Sequence, residues 1–278
     1  MSEIPLESPT TFGRSVNDME LTIYQVDAFA ERPFEGNPAG IIPLDTWLPD
    51  SLMQAIALEN NLSETAFFVP TPKGFHIRWF TPLHEVDLCG HATLASAYVL
   101  FEMLDYTEEE IRFDSRSGPL RVKRVDNWLQ LDFPAQPGKP CEVPDQILRS
   151  FGNTQECFVS EDYMVVLADE VSVQNAVPNF LDLSSMDKRG IIITAPSERY
   201  DFISRFFAPK YGINEDPVTG SSFTQLIPYW SERLGKERLI AKQVSNRGGV
   251  VLCELVDDRV LISGKAVLYM QGSIGLDQ

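Results

Sequence analysis

The feature that most constrains how this chain can fold is a loop-into-helix device that occurs twice. Residues 78–82 read Arg-Trp-Phe-Thr-Pro, and residues 205–209, 127 positions later, read Arg-Phe-Phe-Ala-Pro. Each is followed by a glycine turn that opens an apolar helical run. In the first copy this is Cys89-Gly90-His91-Ala92-Thr93; in the second it is Thr219-Gly220-Ser221-Ser222, at an offset of 130. The second copy therefore carries three extra residues, which fall near Glu215-Asp216-Pro217. A duplicated strand–turn–helix unit implies two similar halves. Their helix N-termini can face one cleft and hold an anion between them, because unpaired amides and the helix dipole both favour negative charge there.

A chain of 278 residues suggests about two domains. With 44% hydrophobic and 23% charged residues, the composition is that of an ordinary soluble protein able to build real cores. The net charge of −17 argues against a nucleic-acid partner, which needs a basic surface, and against an acidic membrane. A small anionic metabolite stays compatible if local backbone dipoles attract it against the overall field. The cysteines Cys89, Cys141, Cys157 and Cys253 follow no zinc spacing, and no His-Glu-x-x-His occurs. With His76, His84 and His91 the only histidines, no metal site is expected. No signal peptide or long apolar run is read, which makes the cytoplasm, with reduced thiols, the expected setting.

Residues 1–18 are polar and aperiodic and read as a tail. Alternation predicts strands over residues 21–29, 39–44, 65–69 and 75–80, with Glu35-Gly36-Asn37-Pro38 as a turn. A helix is expected over 50–60, with Leu52, Ile56 and Glu59 at helical spacing. The helix after Gly90 carries Leu94, Tyr98, Phe101 and Leu104 on one stripe. Strands with a hairpin at Asp126-Asn127 occupy 111–133, where Trp128 and Phe133 read as packing residues. The Pro- and Gly-punctuated stretch 134–144 is the boundary between halves. Beyond it come strand-like residues 157–167, a short helix over 171–177, and strands over 191–194 and 202–207. The helix after Gly220 buries Phe223, Leu226, Ile227, Trp230 and Leu234, and Pro228 should kink it or remove a hydrogen bond. Three β-rich runs, 239–245, 249–256 and 259–270, close the chain. The order implies an α+β protein in which each sheet covers a central helix. It divides into a tail (1–18), a first half (19–134) and a second half (135–278), with a final strand near 266–278 free to return to the first half.

Four positions carry candidate chemistry. Glu64 enters an apolar strand, Thr65-Ala66-Phe67-Phe68. Burial would raise its pKa into the range of a general acid–base, whereas at an exposed strand end it would merely bond backbone amides. His91 follows Gly90 at a helix start, either reaching a ligand as a neutral imidazole or serving as a surface or capping residue. Asp216 is held out of helical geometry by Pro217, and Thr219-Gly220-Ser221 suits an anion nest. Asp216 is then a second proton carrier or an orienting group for His91, unless it is a turn acid and a serine the N-cap. Two opposed cysteines at such helix starts would make a two-base racemase, but Thr219 stands where the partner of Cys89 would be, so that mechanism fails here.

Taken in order, Val26-Asp-Ala-Phe29, Gly36-Asn-Pro-Ala39, Leu62-Ser-Glu-Thr-Ala-Phe67, Arg78-Trp-Phe-Thr-Pro82, Cys89-Gly-His-Ala-Thr93, Glu215-Asp-Pro-Val-Thr-Gly-Ser221 and Gly264-Lys-Ala-Val267 with Gly272 resemble the phenazine-biosynthesis PhzF-like family of isomerases. The resemblance implies a diaminopimelate-epimerase-like fold of two pseudo-symmetric halves, each a curled, mostly antiparallel sheet around a central helix. It also implies a cofactor-free isomerase, often a homodimer, with its site between the halves. The leading reading is a proton moved within a small carboxylate-bearing metabolite; the alternatives are a non-catalytic small-molecule-binding protein on the same fold and an epimerase or racemase of an amino-acid derivative that uses carboxylate and imidazole in place of thiols. Glu64, His91, Asp216 and Ser221 take the places of the family's site residues, with Gly90, Thr219 and Gly220 presenting backbone to the substrate. The chain departs from the family after Ser221, where Ser222-Phe223-Thr224 follows. A cleft-facing Phe223 would narrow the pocket.

Overall fold

Alternating apolar residues and frequent turns make strands the dominant element. In the computed structural model, residues 19–152 and 154–276 are described; the expected tail lies outside them. The first half comprises β1 (Met19–Ala28), β2 (Asn37–Pro43), α1 (Asp50–Asn60), β3 (Glu64–Thr71), β4 (Gly74–Phe80), β5 (Glu85–Val86), α2 (Gly90–Tyr98), β6 (Glu110–Ser115), β7 (Gly118–Val125) and β8 (Trp128–Pro134). There follow β9 (Lys139–Pro140), α3 (Asp145–Phe151), β10 (Thr154–Val159), β11 (Tyr163–Leu167), α4 (Glu170–Gln174), α5 (Phe180–Ser184), β12 (Ile191–Pro196), β13 (Phe202–Ala208) and β14 (Ile213–Asp216). The chain closes with α6 (Phe223–Leu234), β15 (Arg238–Gln243), β16 (Gly249–Val256), β17 (Arg259–Gly264) and β18 (Ala266–Leu276).

The pairing repeats itself. β1–β2 is antiparallel, β2–β3 parallel and β3–β4 antiparallel; β4 then pairs antiparallel with β5 and parallel with β6, and β6–β7–β8 form an antiparallel meander. β10–β11, β11–β12, β12–β13, β13–β14, β13–β15 and β15–β16–β17 follow the same succession of senses. β8 pairs with β17 and joins the two sheets. The edges are exchanged: β18 runs along the whole of β1, while β9 adds to β10.

The duplicated arginines do the same work in both copies. Arg78 grips Glu85 with two bonds of 2.7 and 2.8 Å, and Arg205 grips Glu215 with bonds of 2.7 and 3.0 Å. Such a fork-to-fork pair ties each β4-type strand to the short strand beside it. Because Glu215 is the counterpart of Glu85, the three extra residues lie before Glu215, in the turn after Pro209, and not at Glu215-Asp216-Pro217.

α2 is buried on every side from Gly90 to Ala97. Its small residues let the sheet close around it. The helix then widens, with Leu104 N–H donating to the Val99 carbonyl at 3.0 Å. The wider turn carries the expected apolar stripe off the core, and Leu104 is exposed. α6 continues through Pro228. The proline deprives the Thr224 carbonyl of its helical donor, and Gln136 N–H supplies the bond instead, at 2.9 Å. Leu226, Ile227 and Trp230 are buried as expected, whereas Leu234 emerges at the helix end. Asn37 and Pro38 belong to β2, not to a turn, and the last apolar run divides into β17 and β18 at Lys265. The short elements α3, α5 and β14 carry too few residues to show a period. The main core surrounds α2 and α6; lesser cores lie under α1 and under α3–α5.

Candidate active site

The two glycine turns meet. A Cβ added to Gly90 would lie 3.7 Å from Gly220 Cα and 3.9 Å from the Ser221 amide nitrogen. Neither helix start carries a side-chain cap. Uncapped first-turn amides of two helices thus converge on one small region, which is a strong setting for negative charge. Ser221 is half-buried there, and among the described residues its hydroxyl makes no hydrogen bond.

Glu64, the first residue of β3, sits beside Gly40 and Ala39 of the parallel β2 and turns its carboxyl inward. Its side chain is only 12% exposed, and that of His91 6%. Glu64 Oε2 and His91 Nε2 stand 3.2 Å apart. They are out of line for a hydrogen bond, so both atoms are left buried without a partner, as is Asn37 Oδ1. Native proteins rarely leave such atoms unsatisfied, and three together mark a place where another molecule completes the bonding.

Burial pushes the Glu64 carboxyl up to about 8, with the charge of Asp216 adding to the rise and a hydrogen bond from Cys89 opposing it. His91 is pushed down to about 3 by burial, so its imidazole is neutral. Asp216 is raised to about 6, again by burial, against hydrogen bonds from Thr219 and Asn37. At neutral pH the site therefore holds a protonated Glu64, a neutral His91 and a carboxylate at Asp216.

Asp216 does not touch His91. Asn37 stands between them. Its Nδ2 donates to Asp216 Oδ1 at 2.8 Å and to the Val218 carbonyl at 3.0 Å, and it lies 3.3 Å from His91 Nδ1. Thr219 Oγ1 donates to Asp216 Oδ2 at 2.5 Å. Gln243, fully buried, accepts from Thr219 N–H at 2.9 Å and donates to the Asp216 carbonyl at 2.7 Å, which fixes the turn that presents Asp216. In the sequence, Gly36-Asn37-Pro38-Ala39 offers a cleft-lining role as the lesser alternative to a plain turn, and Asn37 stands in the site; nothing local marks Gln243.

The placement of Asn37 depends on Gly36. At φ +64°, a Cβ there would come within 2.1 Å of the Ala28 carbonyl. Gly36 N–H donates to the Gly248 carbonyl at 2.7 Å, and Arg247 holds the Gly36 carbonyl at 2.9 Å. The second half thereby clamps the loop that delivers Asn37.

Cys89 is buried, and desolvation lifts its thiol well above its usual range. Its Sγ lies 3.5 Å from His91 Nδ1. Glu64, Cys89 and His91 bring donor atoms within 4.8 Å of one another. Yet to hold a cation there, Glu64 and Cys89 would both have to shed protons that burial holds on them. The arrangement suits protons better than a cation. Phe223 does not face the cleft: it is fully buried, its ring 6.2 Å from that of Phe202 in the core.

The family model described as phenazine biosynthesis-like protein matches residues 26–272. An isomerase of Pseudomonas aeruginosa, named as uncharacterized, is 52% identical, with 93% of this chain and all of that protein covered. A crystal structure of a PhzF family phenazine biosynthesis protein from Enterococcus faecalis superposes with a TM-score of 0.91 at 46% identity, over 93% of this chain and all of the other. A hydroxyproline epimerase from Agrobacterium vitis, 10% identical with a TM-score of 0.64 over 93% of both chains, shares the fold. The fold is thus of the epimerase-like class expected from the sequence. No helix among the described residues is long and apolar enough to cross a membrane.

Proposed function

Because this chain belongs to the phenazine biosynthesis-like (PhzC-PhzF) family and is an isomerase, we propose that it moves a proton between two atoms of a small carboxylate-bearing metabolite, with Glu64 carrying the proton. The observation behind this reading is the buried Glu64 carboxyl, pushed up to about 8 and left with an unpartnered oxygen beside an unpartnered His91 nitrogen.

In the proposed cycle, the minor fraction of Glu64 that is ionised near neutral pH, for a carboxyl pushed up to about 8, takes a proton from one carbon. The electron pair left behind spreads toward the substrate's carboxylate as an enolate-like anion. The first-turn amides at Gly90 and Gly220, with the Ser221 hydroxyl, hold that charge as it forms. Protonated Glu64 then returns the proton to a second carbon, and the enzyme is restored with no change in oxidation state. Neutral His91 bonds the substrate through Nε2. Asp216 acts on His91 only through Asn37, as an orienting carboxylate. Glu64 needs no cofactor for these steps. Proton transfer by one positioned group contributes about 10²–10⁴-fold, and the amides must supply much of the rest.

An epimerase working from two faces would need a second proton carrier. Cys89 holds its proton far above neutrality and the Thr219 hydroxyl is committed to Asp216, which leaves the Asp216 carboxylate and the His91 imidazole as its candidates. The Asn37 bond to Asp216, and its place beside His91, support the orienting role for Asp216 and a proton shuttled over one face. The test begins with a thermal-shift screen of small carboxylates to find a ligand. With that ligand in deuterated water, the wild type should exchange substrate protons, and Glu64→Gln should bind it without exchange. Exchange at the wild-type rate in the variant would overturn the assignment.

A further inference from the structure

A cavity of about 220 Å³ opens on the seam between the halves. None of Glu64, His91, Asp216 or Ser221 lines it. Phe29, which forms part of its wall, meets Gly220 with the tip of its ring and so stands between this cavity and the helix starts. Five cations border it: Arg32, Arg199, Lys242, Arg247 and Lys265, against the two carboxylates Glu31 and Glu35. In a chain of net charge −17, with 23 basic and 40 acidic residues, that local excess is unusual.

Three of the five are already neutralised. Arg32 pairs with Glu35 at 2.7 Å, Lys265 with Glu31 at 2.6 Å, and Arg247 with Asp27 at 2.8 Å. Arg199 and Lys242 have no carboxylate partner among the described residues. Their charges lie 5.4 and 5.9 Å from the ring centre of Tyr200. Arg199 comes from the loop between β12 and β13 and Lys242 from β15, and both line one cavity that Trp128 and Ala30 of the first half also line. Two cations without a carboxylate partner on one partly open cavity are the complement of a doubly charged oxyanion. The volume falls below the range of about 300–1,000 Å³ typical of drug-sized sites, which limits the occupant to a few heavy atoms beyond its charged group.

We propose that this seam cavity is a binding site for a small phosphate monoester, distinct from the site at the helix starts, with Arg199 and Lys242 as its charge-bearing contacts. A ligand there touches residues of both halves. The site is independent of the reaction proposed for Glu64.

The experiment is a titration of the full chain with inorganic phosphate and, in parallel, malonate as a dicarboxylate, followed by NMR shifts of the Trp128 indole and backbone amides and by thermal shift. The expected result is saturable phosphate binding that moves Trp128, Tyr200 and Lys242 signals, weakened at least ~10-fold in Arg199→Gln/Lys242→Gln with its unliganded melting temperature unchanged. Arg199→Gln alone, at an exposed position, serves if the double variant misfolds, with an intermediate weakening. The proposal is overturned if shifts grow linearly without saturation, if they centre on Gly90 and Gly220 instead, if the variants bind phosphate as the wild type does, or if malonate binds as tightly as phosphate.

Discussion

Replacing Glu64 by Gln should make the protein more stable, and increasingly so as the pH rises. The folded chain holds the Glu64 proton up to about 8, while the unfolded chain releases it near 4.5. Between those values the unfolded state has lost a proton that the folded state keeps, so rising pH favours unfolding. Each pH unit in that window is worth about 1.4 kcal/mol. The wild type should therefore lose roughly 3 kcal/mol from this group between about pH 5 and 7.5. The group is buried in the folded state, so solvent screening does not reduce the figure. Glutamine keeps the shape and does not ionise. Asp216 and His91 titrate in both proteins and largely drop out of the difference. Urea unfolding of both proteins across this range measures it directly. A stability difference that stays flat with pH, or that shrinks, would refute the claim that burial holds the Glu64 proton, and with it the tuned acid–base on which the proposed chemistry rests.

Other expectations follow from the same geometry. His91, pushed down to about 3, should show no imidazole titration by NMR above pH 5, and stability should be lost as the pH falls from 6.5 toward 3; a midpoint near 6.5 would contradict its burial. Asn37→Ala should cost about 1–3 kcal/mol in denaturant unfolding, since it strips a buried donor from Asp216 and the Val218 carbonyl; a neutral effect would mean that the link to His91 is dispensable. Gly36→Ala should cost about 3 kcal/mol or more and lower the melting temperature by several degrees, because the new Cβ has no room against the Ala28 carbonyl. Pro228→Ala should change stability by less than about 1 kcal/mol, not the ~3 expected of a proline inside a helix, as the Thr224 carbonyl already has Gln136 for a donor.

Much of the fold was readable because its cues are local. The alternation that marks β1 and β4 has a period of two, and the apolar spacing of α6 a period near four; both lie within a window of ten or so residues. The twin Arg-x-Phe-x-Pro and glycine turns announced the repeat, and the structure adds that each arginine grips its own glutamate. Where cues were short or absent, the reading missed. α5 spans five residues, and its start is set by Asn179 accepting two backbone amides. The Leu104 stripe failed because one widened turn rotates everything after it.

By itself, the order of residues determined the secondary elements, the duplicated scaffold and the residue types that carry the chemistry, because these depend on neighbours a few positions apart. Only the tertiary structure decided that Asn37 reaches Asp216 across 179 positions and that Gln243 braces the turn between them. It alone decided that Glu64 keeps its proton, since a pKa shift comes from the water a folded chain excludes and the charges it brings near. The two halves repeat a backbone, but Ile191, not a glutamate, stands 127 positions after Glu64, and Ser221 stands 130 after His91. The symmetry is a property of the chain's local pattern; the asymmetric site exists only where distant segments meet in a space closed to solvent.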